Sequence, residues 1–424
     1  MSEDLFQYLW KMKLFDSRNL CTTDGDQIEI IHVGTHNMQS GPDFFNAKIK
    51  IADTIWAGNI ELHLKSSDWM LHKHQLDKSY ENIILHVVYK DDKPLFDSSG
   101  NAIKTLVLEQ HIKSEIINAY KDFKENNEII PCSKSIQKVP HEIIQTTLER
   151  LLVKRLEHKS QHVERLLLEN NNNWEQSFYM QLAANFGFKI NQVPFELLAR
   201  NTPLSVLAKH KSNLSQIEAL LFGQAGMLNE SFKDLYPVML QNEYAYLKKK
   251  YNLTGIDSHL WKFSKMRPVN FASIRIAQFA ALVHQSSHLF SKVTEATSPQ
   301  QLIQLFKVKA STYWDTHYTF YKETANLKKH IGKAGIENLI INTIVPFMFV
   351  YGKHYGDEAK CELSLQLLSL IKPEKNNITR LWQNIGIDAK NAAQSQSLIE
   401  LKTNYCELKR CLQCSIGHFV LKNN

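Results

Sequence analysis

The segment Gly41–His74 concentrates side chains that can do chemistry. It reads GPDFFNAKIKIADTIWAGNIELHLKSSDWMLHKH, with an aspartate after Gly-Pro and an acidic-x-basic triplet further on. Successive side chains of a strand alternate between its two faces, so Glu61, His63 and Lys65 are predicted to share one face. A carboxylate, an imidazole and an amine side by side can form one wall of a catalytic or metal-binding site.

Asp43 starts the strand that precedes Glu61, and the short turn between the two strands predicts an antiparallel hairpin. Asp43 then approaches Glu61 at one end of the sheet, where two carboxylates repel each other unless a cation lies between them. Mg²⁺, or Mn²⁺ in its place, suits such a site. We therefore predict a metal site at Asp43 and Glu61, with His63 and Lys65 contacting a phosphate.

Two further histidines follow in DWMLHKHQLD, and His72 or His74 could assist proton transfer. An alternative is a Zn²⁺ or Mn²⁺ site formed by His63, His72, His74 and an aspartate. Two histidines at positions i and i+2 of a helix point about 200° apart. Both can therefore bind one ion only if the helix ends before them.

These side chains belong to a front region in which strand patterns dominate. A helix is predicted over residues 3–14, a helix start at Ser66 or Ser67, and a turn in DSSGNA at residues 97–102. Strands are predicted in QIEIIHV, FFNAKIKI, TIWAGNIELHLK, NIILHVVY and IKTLVLE. From about residue 112 the periodicity is helical. The predicted class is α+β, with an N-terminal α/β sandwich on a mixed sheet at 1–125 and an all-α domain at 126–424.

The order of these features resembles the PD-(D/E)XK nuclease core, which has a restriction-endonuclease-like fold. Pro42-Asp43 matches the first half of its motif and Glu61-Leu62-His63 the second. The resemblance implies metal binding by Asp43 and Glu61, and it implies Glu3 as the helix carboxylate found in many members. His63 stands where that family usually has lysine, and Lys65 on the same face could substitute.

Over nearly its whole length the chain also resembles an uncharacterised bacterial family known as a domain of unknown function. The resemblance runs through GPDFFNAKI, GNIELHLKSSDW, HKHQLDKSYENIILHVV and RPVNFASIRIAQFA. It implies no established activity.

Composition and charge narrow the class of protein. The chain has 424 residues, is 43% hydrophobic and 22% charged, and is expected to fold into more than one domain. It lacks the pattern of a secretory signal, so a cytoplasmic protein without a membrane segment is expected. Residues 1–110 carry a net charge of −5 and the remainder +12. No phosphate-binding glycine loop is found, so no nucleotide cofactor is expected.

The C-terminal stretch YCELKRCLQCSIGH offers a weaker metal signal. It contains Cys406, Cys411, Cys414 and His418, but one continuous helix cannot surround an ion tetrahedrally. A further ligand, from Cys361 or Cys132, would be needed, and buried cysteines on a packed helix are the alternative.

Three functions remain open at this stage. The first is a Mg²⁺-dependent nuclease whose basic helical part holds DNA or RNA. The second is a binding or assembly module that keeps the nuclease fold without catalysis, which histidine in place of lysine favours. The third is a metal-dependent hydrolase of a small substrate.

Overall fold

The computed structural model describes residues 1–96 and 100–423. The chain forms two compact units, the first from residues 1–147 and 401–424 and the second from residues 148–400. The turn predicted at 97–102 lies partly outside the described residues. The α+β class predicted from the sequence is confirmed.

The first unit is built on a mixed sheet. Its strands are β1 (Ile28–His32), β2 (Thr35–His36), β3 (Phe44–Ile51), β4 (Thr54–Lys65), β5 (Ile83–Lys90) and β6 (Thr105–Val107). The spatial order is β1-β3-β4-β5-β6, and β2 pairs with β3. The pairs β1–β3 and β3–β4 are antiparallel, whereas β4–β5 and β5–β6 are parallel. The strands β3 and β4 begin and end where the sequence predicts.

Helix α1 (Glu3–Lys11) packs against the sheet through one apolar face. Ser2 caps it by accepting a hydrogen bond from the Leu5 N–H at 3.3 Å. Phe6 and Trp10 are fully buried, and the Trp10 indole donates to the Val33 carbonyl at 3.1 Å. The helix is thereby fixed over the strands that carry the acidic and histidine side chains.

The remaining helical parts of the first unit are short. They are α2 (Asp68–Leu71), α3 (Ser114–Glu125), the start of α4 (His141–Glu169) and α18 (Ser415–Lys422), with a π-helical turn at Lys402–Cys406. The unit therefore extends beyond the predicted 1–125. Packing against the N-terminal part, rather than position in the sequence, assigns the C-terminal residues to it.

The second unit is helical around one large apolar core. It contains the rest of α4, then α5 (Trp174–Phe186), α6 (Gln192–Asn201), α7 (Leu204–Lys209), α8 (Leu214–Gln224), α9 (Leu235–Tyr251), α10 (Ala272–Gln285), α11 (Leu289–Glu295), α12 (Pro299–Leu305), α13 (Lys333–Leu339), α14 (Val345–Tyr355), α15 (Glu358–Leu370), α16 (Asn377–Asn384) and α17 (Ala392–Leu401). A small hairpin, β7 (His317–Thr319) and β8 (Lys322–Glu323), interrupts the helices, and a π-helical turn at Ile340–Ile344 joins α13 to α14.

One described helical stretch, Lys333–Tyr355, is long and apolar enough to cross a membrane by length and composition. Two thirds of its most apolar window is buried inside the protein, which is the usual situation of a core helix.

Candidate functional site

Strand β4 carries Glu61 and His63 in the interior of the first unit. The four residues from Ile60 to His63 are buried, because β4 lies between two neighbouring strands and both of its faces are covered. Lys65 lies at the exposed end of the strand, where its N–H donates to Asp68 Oδ2 at 3.0 Å. The alternation predicted for the strand therefore places Glu61 and His63 inside, while Lys65 lies at the surface.

His72 and His74 approach β4 because helix α2 is short. It ends at Leu71, and Lys73 then adopts a left-handed conformation with φ 61°. This turn redirects the chain between the two histidines. The geometric objection to a shared ion applies only to a continuous helix, and the helix has ended before the first of the two.

Three imidazoles meet in this place and form what we call the histidine cluster: His63, His72 and His74. One nitrogen from each ring lies within 4.8 Å of one nitrogen of both others. His63 Nε2 is 3.1 Å from His72 Nδ1. His63 is buried, His74 is half-buried and His72 is exposed, so the cluster can be reached from solvent.

Glu61 faces the histidine cluster with one carboxylate oxygen. Its Oε1 atom lies 3.3 Å from His74 Nε2 and 3.7 Å from His63 Nε2. The buried His74 Nε2 makes no hydrogen bond despite this proximity. The contact is an ion pair when His74 is protonated, and the same two atoms are placed as two ligands of one ion would be.

Asp43 lies beside Glu61, as the hairpin predicts, but its carboxylate is already engaged. Oδ1 accepts from the Gln7 side chain at 2.8 Å, and Oδ2 accepts from the Leu62 N–H at 3.0 Å. The Asp43 N–H in turn donates to Glu61 Oε2 at 3.0 Å. The exchange fixes the second oxygen of Glu61 and leaves the first directed at the cluster.

His86 is a member of the site that sequence reasoning did not identify. It lies in the middle of the apolar strand β5, and the parallel pairing places it opposite Glu61. Its Nε2 is 2.8 Å from His63 Nδ1. A lone histidine within an otherwise apolar run was the available signal. The tertiary pairing is what brings it against His63.

Burial keeps both interior imidazoles neutral. Desolvation, with a contribution from the neighbouring imidazoles, lowers the pKa of His63 to about 2 and that of His86 to about 3. Two neutral rings 2.8 Å apart require that one nitrogen carries the proton and the other accepts it. If His63 Nδ1 donates to His86, His63 Nε2 is left with a lone pair directed at His72.

The pKa values of two carboxyls around the cluster are raised, whereas those of the buried imidazoles are lowered. Burial, together with the nearby Glu61, raises the pKa of Asp43 to about 7. Burial also raises the pKa of Glu3, while His72 acts in the opposite sense, so the carboxyl of Glu3 on α1 lies within electrostatic range of the cluster.

A cleft of about 860 Å³ opens beside the histidine cluster. Its walls include His74 and three aromatic residues, Trp56, Trp69 and Tyr80. The Tyr80 ring packs on His74 with 3.9 Å between ring centroids, and the Trp69 indole N–H is buried without a partner. The half-buried face of the cluster therefore borders a space large enough for a small ligand or part of a larger one.

Two separations among these donors suit a transition-metal ion, although the donors that all lie within 4.8 Å of one another are His63, His72 and His74 without Glu61. Metal–nitrogen bonds of about 2.0–2.1 Å at tetrahedral angles separate neighbouring ligand atoms by roughly 3.3 Å. The His63–His72 and Glu61–His74 separations of 3.1 Å and 3.3 Å match this spacing. Imidazole nitrogen suits Zn²⁺ or Mn²⁺ better than Mg²⁺, which prefers oxygen ligands and water.

Comparison with known proteins identifies the family. Searches of curated proteins and of solved structures both gave no match. Residues 3–377 match the model of the family described as "Protein of unknown function (DUF2851)". The match covers most of the chain, which therefore belongs to this family.

Proposed function

We propose that the first unit is a metal-dependent hydrolase of phosphodiester bonds in DNA or RNA. The observation that supports it best is the convergence of Glu61 with His63, His72 and His74, next to the cleft. The metal ligands in this proposal are the three imidazole nitrogens and Glu61 Oε1. They differ from the predicted Asp43–Glu61 pair, in that Asp43 is given a supporting role: its two oxygens accept hydrogen bonds from the Gln7 side chain and the Leu62 N–H.

The sheet supports a nuclease-like arrangement. Helix α1 is followed by four strands, β1 to β4, joined by three antiparallel pairings, and then by α2 and by β5 parallel to β4. This order resembles that of the PD-(D/E)XK core. Asp43 immediately precedes β3 (Phe44–Ile51), and Glu61 and His63 lie on β4, as the motif requires. Glu3 approaches from α1.

The residues around the site have distinct roles in this proposal. A bound metal ion would act as a Lewis acid on the phosphoryl group. Asp43 positions Glu61 through its N–H, and the contact with His86 Nε2 orients the His63 ring. His72 is the exposed member of the cluster, whereas His74 is the member that lines the cleft.

The direct test measures metal binding and cleavage on the same preparations. Protein stripped with a chelator is reloaded separately with Zn²⁺, Mn²⁺ and Mg²⁺, and bound metal is quantified. Plasmid, single-stranded DNA, RNA and a small chromogenic phosphodiester are then offered as substrates. We expect cleavage to need metal and to be lost in Glu61→Gln and His74→Ala.

His141→Ala is the matched control, because His141 is an exposed histidine of the same unit outside the cluster. Cleavage that survives undiminished in Glu61→Gln, or that needs no metal, would show that this site does not catalyse the reaction. Cleavage of the small phosphodiester alone would favour the hydrolase of a small substrate.

A second function is favoured by one observation, the position of Lys65. The structure has His63 at the buried position where nucleases of this type carry lysine, and Lys65 lies at the exposed strand end. A binding or assembly module that retains the metal without catalysis is consistent with that arrangement. Tight metal binding without cleavage of any of the four substrates would support it.

A further inference from the structure

The first unit contains the exposed Cys21 and four less exposed cysteines from two distant parts of the sequence: Cys132, Cys406, Cys411 and Cys414. The last three are buried, and Cys132 is half-buried. All six cysteines of the chain lie within the described residues, and none forms a disulfide. Residues 148–400, the whole second unit, separate Cys132 from the other three in the sequence.

Hydrogen bonds bring the two segments together. The Lys409 ammonium, between Cys406 and Cys411, donates to the Asn126 carbonyl at 3.0 Å and to the Lys124 carbonyl. The Asn126 side chain donates to the Pro131 carbonyl at 3.0 Å, next to Cys132. The chain before Cys132 is therefore tied to the loop that carries the C-terminal cysteines.

Electrostatic coupling joins every pair among the four thiols. Burial, with smaller contributions from Cys414 and Cys411, raises the pKa of Cys132 to about 12. Burial raises the pKa of Cys406 well above its usual range, with contributions from the other three. Burial and then Cys414 raise the pKa of Cys411 to about 11. Six mutual interactions among four side chains require that the thiols share one region.

The segment is not one continuous helix, which removes the geometric objection to a metal site. Cys406 ends the π-helical turn, Cys411 opens a 3-10 turn at Cys411–Gln413, and Cys414 precedes α18. Lys409 adopts a left-handed conformation with φ 49° between the first two. The backbone reverses around the thiols, so they can approach a common centre from different directions.

The spacing of the thiols distinguishes between kinds of centre. A single tetrahedral Zn²⁺ with Zn–S bonds of about 2.3 Å places neighbouring sulfurs roughly 3.8 Å apart. Among the described residues, no three of these thiols have sulfurs that all lie within 4.8 Å of one another, as the ligands of a single tetrahedral zinc ion would. The spacing C-x4-C-x2-C of Cys406, Cys411 and Cys414 is that of the first three ligands in plant-type [2Fe–2S] proteins, in which the fourth cysteine follows the run, whereas here Cys132 precedes it.

We propose that Cys132, Cys406, Cys411 and Cys414 together ligate an iron–sulfur cluster. Its role is structural: it links the C-terminal segment to the N-terminal part of the first unit. Four bonds across so long a sequence separation restrict the unfolded chain more than any local contact does. The proposal is independent of the histidine cluster.

The test is made on full-length protein purified without oxygen. Iron, acid-labile sulfide and zinc per chain are measured, together with the visible absorption spectrum. We expect iron and sulfide in the wild type and their loss in Cys132→Ser and in Cys411→Ser. Cys21→Ser and Cys361→Ser are the matched controls, since these residues lie outside the group of four, and they should retain both elements.

A second measurement does not depend on the variants folding. Native wild-type protein is treated with an alkylating reagent before and after the iron is removed with a chelator, and modified cysteines are located by mass spectrometry. We expect the four thiols to react only after iron removal. Zinc in place of iron, no metal at all, or iron retained in both Cys132→Ser and Cys411→Ser would overturn the proposal.

Discussion

Removing the His72 imidazole is the sharpest test of the metal site. His72 is exposed, but its Nδ1 lies 3.1 Å from the buried His63 Nε2, so its replacement by alanine should destabilise the metal-free protein by about 1 kcal/mol. It also supplies one of the four ligand atoms of the proposed centre. Any large change in His72→Ala should therefore appear only when metal is present.

The size of the effect follows from the ligand count. A four-ligand zinc site gives about 10–16 kcal/mol of binding free energy, so one ligand supplies roughly 3 kcal/mol, or about 100-fold in affinity. Metal at 100 times the wild-type Kd stabilises the folded state by about 2.7 kcal/mol. At the same concentration His72→Ala is half saturated and gains only about 0.4 kcal/mol.

The assay is thermal unfolding of chelator-treated protein with and without added Zn²⁺. For domains of about 150–250 residues, 1 kcal/mol corresponds to ~2–4 °C, and the first unit falls in that range. We expect the wild-type Tm to rise by about 5–11 °C and that of His72→Ala by about 1–2 °C. An equal rise in both proteins would refute the assignment of His72 as a ligand, and His141→Ala should behave as the wild type.

Three further predictions concern the support of the site and the second unit. His86→Leu removes the partner of His63 Nδ1 and should weaken metal binding about 10–100-fold in competition with a chelator; unchanged affinity would contradict the tautomer argument. Gly58→Ala should lower the free energy of unfolding by about 1–3 kcal/mol in denaturant titrations, because a Cβ there would lie 2.4 Å from Ile84 Cγ2 and would push β4 away from β5. Gly332→Ala is the control, since a Cβ at that position meets open space. Burial raises the pKa of Glu218 to about 7, so the folded state binds more protons than the unfolded state between about pH 4.5 and 7. The free energy of unfolding should therefore fall as the pH rises through that range, by up to ~1.4 kcal/mol per pH unit. Glu218→Gln should flatten this slope, and an unchanged slope would argue against the role of Glu218.

Much of the first unit could be predicted from local sequence. The alternating and apolar runs placed β3 and β4 correctly because strand patterns of period two are strong over eight to twelve residues. The position of Asp43 beside Glu61 followed from the short turn between these strands. Mg²⁺ ligation by that pair stays a prediction, and the hydrogen bonds of Asp43 argue for a different donor set.

The histidine cluster illustrates where local reasoning stops. The sequence identified His63, His72 and His74 but left open whether a helix would separate the last two. The early end of α2 and the left-handed Lys73 decide this, and a backbone reversal of one residue leaves little trace in composition. Sequence periodicity measures a preference for helix, whereas the point of termination depends on packing against β4.

Sequence by itself determined the chemical types: an acidic-x-basic strand, an H-x-H pair, and cysteines spaced C-x4-C-x2-C. Tertiary structure alone decided the partners. Parallel pairing of β4 with β5 brought His86 to His63, and the return of the C-terminal segment brought Cys132 to the other thiols. Local propensities act over a few residues, while these contacts join positions far apart in the chain and are selected by the burial of a common core.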